Sequence, residues 1–509
     1  MPDFQSRFDS VCQRAREAMQ LQTAADTLEW DERTGLPHAA GEYRANQVAS
    51  LRAIVHGIRT NSSYGDDLTW LMEHATDQDP HSDIRATVEC LHRDWDRDRK
   101  LPNDLVQRTA EATVRGQQIW DEARRSDDFS LFRNALNEIL DLKREAGERL
   151  CEGTDRSAYE ALMDEYEPNA SVEDLQQVFE RVRRPLVKLI EQVTHSEKQP
   201  DLKAVEGVFP VQDQRDFSHR VAEAIGFDFD RGRLDETSHP FCTTLGPHDC
   251  RILTRYDPHV LSSGLFGTLH EAGHGTYEQG LRTDWFGLPP GSYASLGIHE
   301  SQSRLWENQV GRSQAFWQWL YRDTQQTFSP QLDEVGLDSF YFAINAVRPS
   351  LIRVEADEAT YNLHVLIRFD LERELIGGSL QIDDLPEAWN ARYESDLGIR
   401  PDSDADGVLQ DVHWSAGLFG YFPTYTLGNL AAAQLFATAT EQIGDLDELL
   451  ARGEFRPLLD WLHQRIHFHG RCYSGNELVQ RACGAPLSAE PLTAYLTEKL
   501  GRLYDLPRG

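Results

Sequence analysis

The stretch SSGLFGTLHEAGHGTYEQG, residues 262–280, places two histidines four residues apart with a glutamate directly after the first. In a helix, residues i and i+4 share a face with Cβ atoms about 6 Å apart, so His270 and His274 can aim ring nitrogens at one ion. Leu265, Phe266 and Leu269 supply an apolar stripe, Ser262 and Ser263 are placed to cap the start, and Gly280 can end the helix. The pattern predicts a helix carrying a metal-binding pair, in spite of Gly273 and Gly275 in its interior.

With 18 histidines in the chain, HExxH would arise by chance in roughly one such sequence in twenty, so a third ligand has to be found. A metzincin would place a glycine three and a histidine six residues after His274; Tyr277 and Gly280 stand there, which excludes that class. Glu278 lies about 12 Å from His270 along a helix axis, too far to share an ion. The ligand should therefore come from a second helix, and GIHESQSRLWENQ (297–309) offers Glu300, with Glu307 as a competitor. A His, His, Glu set leaves one position for water, the catalytic rather than the structural arrangement of zinc. LHQRIHFHG (462–470) repeats the spacing at His463 and His467, with His469 nearby, but Gln464 stands where a base is needed. That segment reads as interhelical hydrogen bonding.

The 509 residues suffice for a large core, and 11 Trp, 22 Phe and 16 Tyr argue against disorder. A formal charge of −33 argues against nucleic acid and anionic lipid as partners, because both would be repelled at long range. Seven cysteines without a CxxC pair suggest reduced thiols and a cytoplasmic protein. The first 19 residues have no continuous apolar run, so no signal peptide is visible. Residues 414–440 carry no charge, yet Gly417, Gly420, Pro423, Gly428 and Asn429 mark a buried loop leading into a core helix rather than a membrane span.

Helical spacing dominates the first 200 residues, as in 42–59 and 130–150, with polar breaks at 61–65, 77–83 and 195–201. Around 240–258 the texture turns to Pro, Gly, Thr and β-branched residues, which predicts short strands; helical patterns return after 300. The expected fold is mainly α: one large helical zincin-type body, residues 1–509, with a helical N-terminal half (1–200), a catalytic half (201–509) and a small β-sheet beside the active-site groove.

Several further motifs accompany HEAGH: HPF at 239–241, DCRIL at 249–253, HESQ around Glu300, IRVEAD at 352–357 and GVLQDVHW at 407–414. With LEWDERTGLP near residue 28 and YSGNELVQRACGAPL at 473–487, the chain resembles the carboxypeptidase Taq family of zinc metallocarboxypeptidases over nearly its whole length. One position departs: Leu253 stands where the family's DxRxT has threonine, although Thr254 follows.

The resemblance implies Zn2+ on His270, His274 and Glu300, with Co2+ as a possible substitute, and Glu271 as the catalytic carboxylate. Candidates to assist the oxyanion are His413, Tyr421 and Tyr425. For the free C-terminal carboxylate of a peptide the resemblance points to Arg353, whose planar fork suits a carboxylate, against its pairing with Glu355 or Asp357; Arg348 and Arg251 are rivals. Asp249 and Arg251 are either a substrate contact or an ion pair, and their strand is a candidate for β-augmentation by substrate. The resemblance also implies a homodimer. Two other readings share the metal site: a zinc oligopeptidase cutting internally, and a non-catalytic scaffold stapled by zinc, which would have no use for a base at 271.

Overall fold

The computed structural model describes residues 3–76 and 79–507. Of the polar break at 77–83, residues 77 and 78 lie outside the described residues. The chain forms two compact units: the first comprises residues 1–99, 201–344 and 432–487, the second 100–200, 345–431 and 488–509. Helices dominate both, and the mainly helical architecture with one small sheet expected from the sequence is observed.

Local chemistry explains the helix boundaries. The segments read as helical at 42–59 and 130–150 are Gly41–Arg59 and Phe129–Cys151. The polar cluster at 61–65 is a helix start rather than a loop: Asn61 caps Ser62–His74, its side chain accepting from the backbone N–H of Ser63 and Tyr64. Residues 411–422 form the expected irregular stretch before the helix Pro423–Ile443. Among the described residues, no helix is long and apolar enough to cross a membrane.

The sheet belongs to the first unit and has the order β1 (Gly232–Glu236), β3 (Asp249–Thr254), β2 (Phe241–Gly246). β1 runs parallel to β3, and β2 antiparallel to it. The sequence pattern reveals β2 and β3 but not β1, whose five residues GRLDE have no apolar alternation. Because β3 is the middle strand, hydrogen-bonded on both sides, it cannot accept a substrate backbone; the β-augmentation expected of it is ruled out. Leu253 is fully buried in this strand, so apolar packing occupies the position where the family motif has a hydroxyl.

The sheet packs on the helix Leu261–Gly280, which carries HEAGH. This helix starts without the anticipated serine cap: Val260 holds the N-cap position with no side-chain hydrogen bond, and Ser262 and Ser263 already lie inside the first turn. Its interior glycines have a packing reason. A Cβ on Gly273 would lie 2.6 Å from the Gln302 carbonyl oxygen and 2.7 Å from Ser303 Cα, so here the helix backbone meets the helix Leu296–Arg304. A Cβ on Gly275 would lie 2.5 Å from the Phe227 ring and 3.1 Å from Ile252 of β3. Each interior glycine costs about 1 kcal/mol of helix propensity, which the close approach must offset.

Gly273→Ala should therefore destabilise the protein by about 1–3 kcal/mol through overpacking against main chain. Gly57→Ala, in a helix where the added Cβ meets nothing within 4 Å, should instead be stabilising by up to about 1 kcal/mol. Urea denaturation followed by circular dichroism checks both signs.

Candidate metal centre

The Gly273 crossing sets the distance between the two histidines and the next helix. His270 and His274 project from the same face, ring centroids 4.9 Å apart and nearly perpendicular. Glu300, on Leu296–Arg304, brings Oε2 to 3.5 Å from Nε2 of each. Tetrahedral bonds of about 2.0–2.1 Å would separate neighbouring ligand atoms by about 3.3 Å, so the spacing suits one small divalent ion. These residues form the one group of three metal-capable side chains, ligand atoms within 4.8 Å of one another, among the described residues.

The surrounding charges prepare the donors. Burial opposes ionisation of Glu300, yet Arg304 and both histidines hold its carboxyl well below the usual range. Arg304 Nε donates to Glu300 Oε1 at 2.7 Å, and Ser303 Oγ donates to Oε2 at 2.9 Å. Burial, with His299 next to it, pulls His274 down to about 3, which leaves a neutral imidazole with a lone pair to offer. His270 is held above its ordinary value: burial lowers it, but the carboxylates of Glu300 and Glu307 more than compensate.

Glu307, the competitor for third ligand, lies on the other side of His270, where its Oε2 sits 2.8 Å from Nδ1. The chain reaches it through a turn of π-helix, Leu305–Val310, a widened turn that the sequence pattern does not reveal. Arg304 also donates to Glu307 at 3.1 Å, and its carboxyl is held at about 2: burial opposes, while Arg304 and His270 prevail. Glu278, set aside on axial distance, is bonded instead to His299. His467 Nε2 donates to Gln302 Oε1 at 3.0 Å, the interhelical bond expected of that second histidine pair.

Glu271 differs from these carboxylates. It is 5% exposed, its Oε2 is buried without a hydrogen-bond partner, and burial pushes its carboxyl up to about 7. An unpartnered oxygen on a buried carboxyl is costly to stability.

The remaining candidates divide between the units. Asp249 and Arg251 pair with each other through two bonds of 2.9 Å, and the guanidinium lies 4.2 Å over the Trp30 ring. In the second unit, Arg353 pairs with Asp411, at 3.0 Å from Nε and 2.7 Å from Nη2, rather than with Glu355 or Asp357. Asp357 instead caps the turn that leads into Tyr361–Gly377, accepting from the backbone of Ala359 and Thr360. Arg368 Nε binds the other oxygen of Asp411 at 2.6 Å, so one carboxylate serves two guanidinium groups. His413 Nε2 is 3.3 Å from the Tyr425 hydroxyl, and Tyr421 packs beside both rings. Burial and then the two arginines pull His413 down to about 4, although Asp411 opposes them, so its ring is neutral.

The chain is similar to known proteins over nearly its whole length. The family described as carboxypeptidase Taq (M32) metallopeptidase matches residues 10–500. This chain belongs to that family. It is 42% identical to thermostable carboxypeptidase 1 of Thermus thermophilus over 98% of this chain and 99% of that protein, and 38% identical to carboxypeptidase 1 of Bacillus subtilis over 95% and 96%. The crystal structure of the M32 carboxypeptidase from Deinococcus radiodurans superposes with a TM-score of 0.94 at 38% identity, covering 98% of this chain and 100% of that one. The M32 enzyme described here is accordingly a metallocarboxypeptidase, a peptide hydrolase that uses a metal ion.

Residue by residue, the sequence names His270, His274 and Glu300, and these converge; it does not reveal Arg304 or His299, although both stand close to Glu300 in HESQSR. If the geometry assigns the ligands, Glu300→Ala should abolish stoichiometric metal binding, whereas Glu307→Ala should weaken it by about 10–100-fold by freeing His270 Nδ1. Metal titration of the apo-protein separates the two outcomes.

Proposed function

We propose that this M32 enzyme is a zinc-dependent carboxypeptidase that removes residues one at a time from peptides with a free C-terminus, Glu271 serving as general base and then general acid. The observation that carries this reading is the convergence of His270, His274 and Glu300 beside a buried carboxylate with an unpartnered oxygen. A zinc ion held by those three residues supplies Lewis acidity, lowering the pKa of water and polarising the scissile carbonyl. Glu271 Oε2 accepts the proton of the attacking water and delivers it to the departing amine, a task suited to a carboxyl poised near neutrality. A donor for the oxyanion comes from His413, Tyr421 or Tyr425; the neutral His413 ring and the two phenols each carry a hydrogen to give.

Arg353 is the assigned reader of the substrate carboxylate. Asp411 divides a single negative charge between Arg353 and Arg368, and Arg368 spends its remaining donors on the His364 carbonyl, Tyr393 and Gln410. Two guanidinium groups on one carboxylate leave a net positive charge, which a peptide carboxylate can neutralise at Arg353, whose Nη1 otherwise meets only the neutral Tyr361 hydroxyl at 3.1 Å. Asp249 and Arg251, paired with each other and stacked on Trp30, are assigned to shaping rather than to reading the substrate. Cobalt should substitute for zinc, since nitrogen and oxygen donors accept both. The reading includes a cytoplasmic homodimer, supported by the thiol pattern and by the family resemblance.

Glu271→Gln should keep stoichiometric zinc and lose about 10²–10⁴ in kcat. Arg353→Ala should raise KM for free-carboxylate peptides and leave the slow cleavage of C-terminal amides unchanged. Mass spectra of a digestion time course read both; equal cleavage of acid and amide by the wild type would replace the carboxypeptidase reading with internal cutting.

A further inference from the structure

His299 immediately precedes Glu300 and stands between the ligand His274 and the carboxylate Glu278. Its Nδ1 is 2.6 Å from His274 Nδ1, its Nε2 is 2.8 Å from Glu278 Oε1, and the Thr244 hydroxyl of β2 donates to Glu278 Oε2 at 2.9 Å. The ring is held by Tyr277 and Tyr293, with centroids 5.4 and 5.0 Å away.

Proton accounting gives these contacts a direction. To bind metal through Nε2, His274 must carry its hydrogen on Nδ1, and that hydrogen needs an acceptor. The atom in place is His299 Nδ1, which accepts only when the hydrogen of that ring is on Nε2. Glu278 Oε1 is the acceptor there, and Thr244 fixes the orientation of the carboxylate. Four side chains from two helices and a strand thus select one tautomer of one ligand. His270 achieves the same end directly, through Glu307. The arrangement follows from spacing: Glu278 is one turn beyond His274 on the same face, too far to join the ion yet near enough to be bridged to His274 by one imidazole.

We propose that His299 and Glu278 are positioning residues that fix the tautomer and ring orientation of His274 and thereby set metal affinity. The proposal rests on the assignment of His270, His274 and Glu300 as the metal site. Their effect is read in metal binding rather than only in turnover.

The test is the zinc dissociation constant of the full-length apo-protein, measured by competition with a chromophoric chelator. His299→Phe keeps a ring for Tyr277 and Tyr293 but removes both nitrogens; it should weaken zinc binding by about 10–100-fold. Glu278→Ala should weaken it in the same direction, and the double variant should lose less than the product of the two, since both break one chain. His299→Gln, which retains an acceptor and a donor, should bind more tightly than His299→Phe. Should His299→Phe fail to fold, as judged by its apo circular dichroism, Glu278→Ala and Glu278→Gln carry the test. Unchanged zinc affinity in His299→Phe and Glu278→Ala, with binding lost in His274→Ala, would overturn the relay while leaving the metal site intact. Retained binding in His274→Ala would overturn both.

Discussion

Contact between two helix backbones at Gly273 is the constraint on which the metal centre depends. Without a side chain at that position, Leu261–Gly280 can lie against the main chain of Gln302 and Ser303, and Glu300 arrives between two imidazoles one turn apart. Neither helix holds the geometry alone. The histidine pair is dictated by helical periodicity, but the third donor exists only because the neighbouring helix is allowed to approach. The same glycines weaken the helix they sit in, so its stability comes from packing on the sheet and on Phe227 rather than from propensity.

Charge balance is the second constraint. Two buried carboxylates, Glu271 and Glu300, and the partly buried Glu307 gather beside His270 and His274, with Arg304 and Arg312 as the neighbouring cations. Burial alone would neutralise such acids, as it does towards Glu271; Arg304 keeps the other two ionised by touching both. The resulting pocket favours a cation, and two imidazole donors suit a borderline-soft ion better than the oxygen-seeking calcium or magnesium. Pairing separates the three: Glu300 is bonded to Arg304 and Ser303 while facing both imidazoles, Glu307 is bonded to Arg304 and holds His270, and Glu271 keeps an oxygen without a partner, as the proposed proton transfer requires.

Much of this was legible in the sequence because it is local. Periodicity yields the helices, i and i+4 spacing yields the histidine pair, and axial distance removes Glu278 from the ligand set. What was not legible depends on tertiary placement. Strand β1 carries no alternation, the π-turn that contains Glu307 changes which way that side chain faces, and the partner of Arg353 lies 58 residues away in sequence, at Asp411. The central position of β3 could not be read from DCRIL, and it is that position which denies the strand to a substrate backbone. His299 shows the limit most clearly, since its adjacency to Glu300 was visible but its role as bridge required the fold to bring Glu278 and His274 to its two nitrogens.

The central claim is that one ion sits where the Gly273 crossing brings three donors together. Anomalous diffraction on crystals of the zinc-loaded protein, recorded on both sides of the zinc absorption edge, tests it directly. The expected result is a single strong site per chain bonded to His270 Nε2, His274 Nε2 and Glu300 Oε2, with Glu307 and Glu278 outside bonding distance. A zinc site bonded to Glu307 or Glu278 in place of Glu300, or one that leaves either histidine unbound, would contradict it.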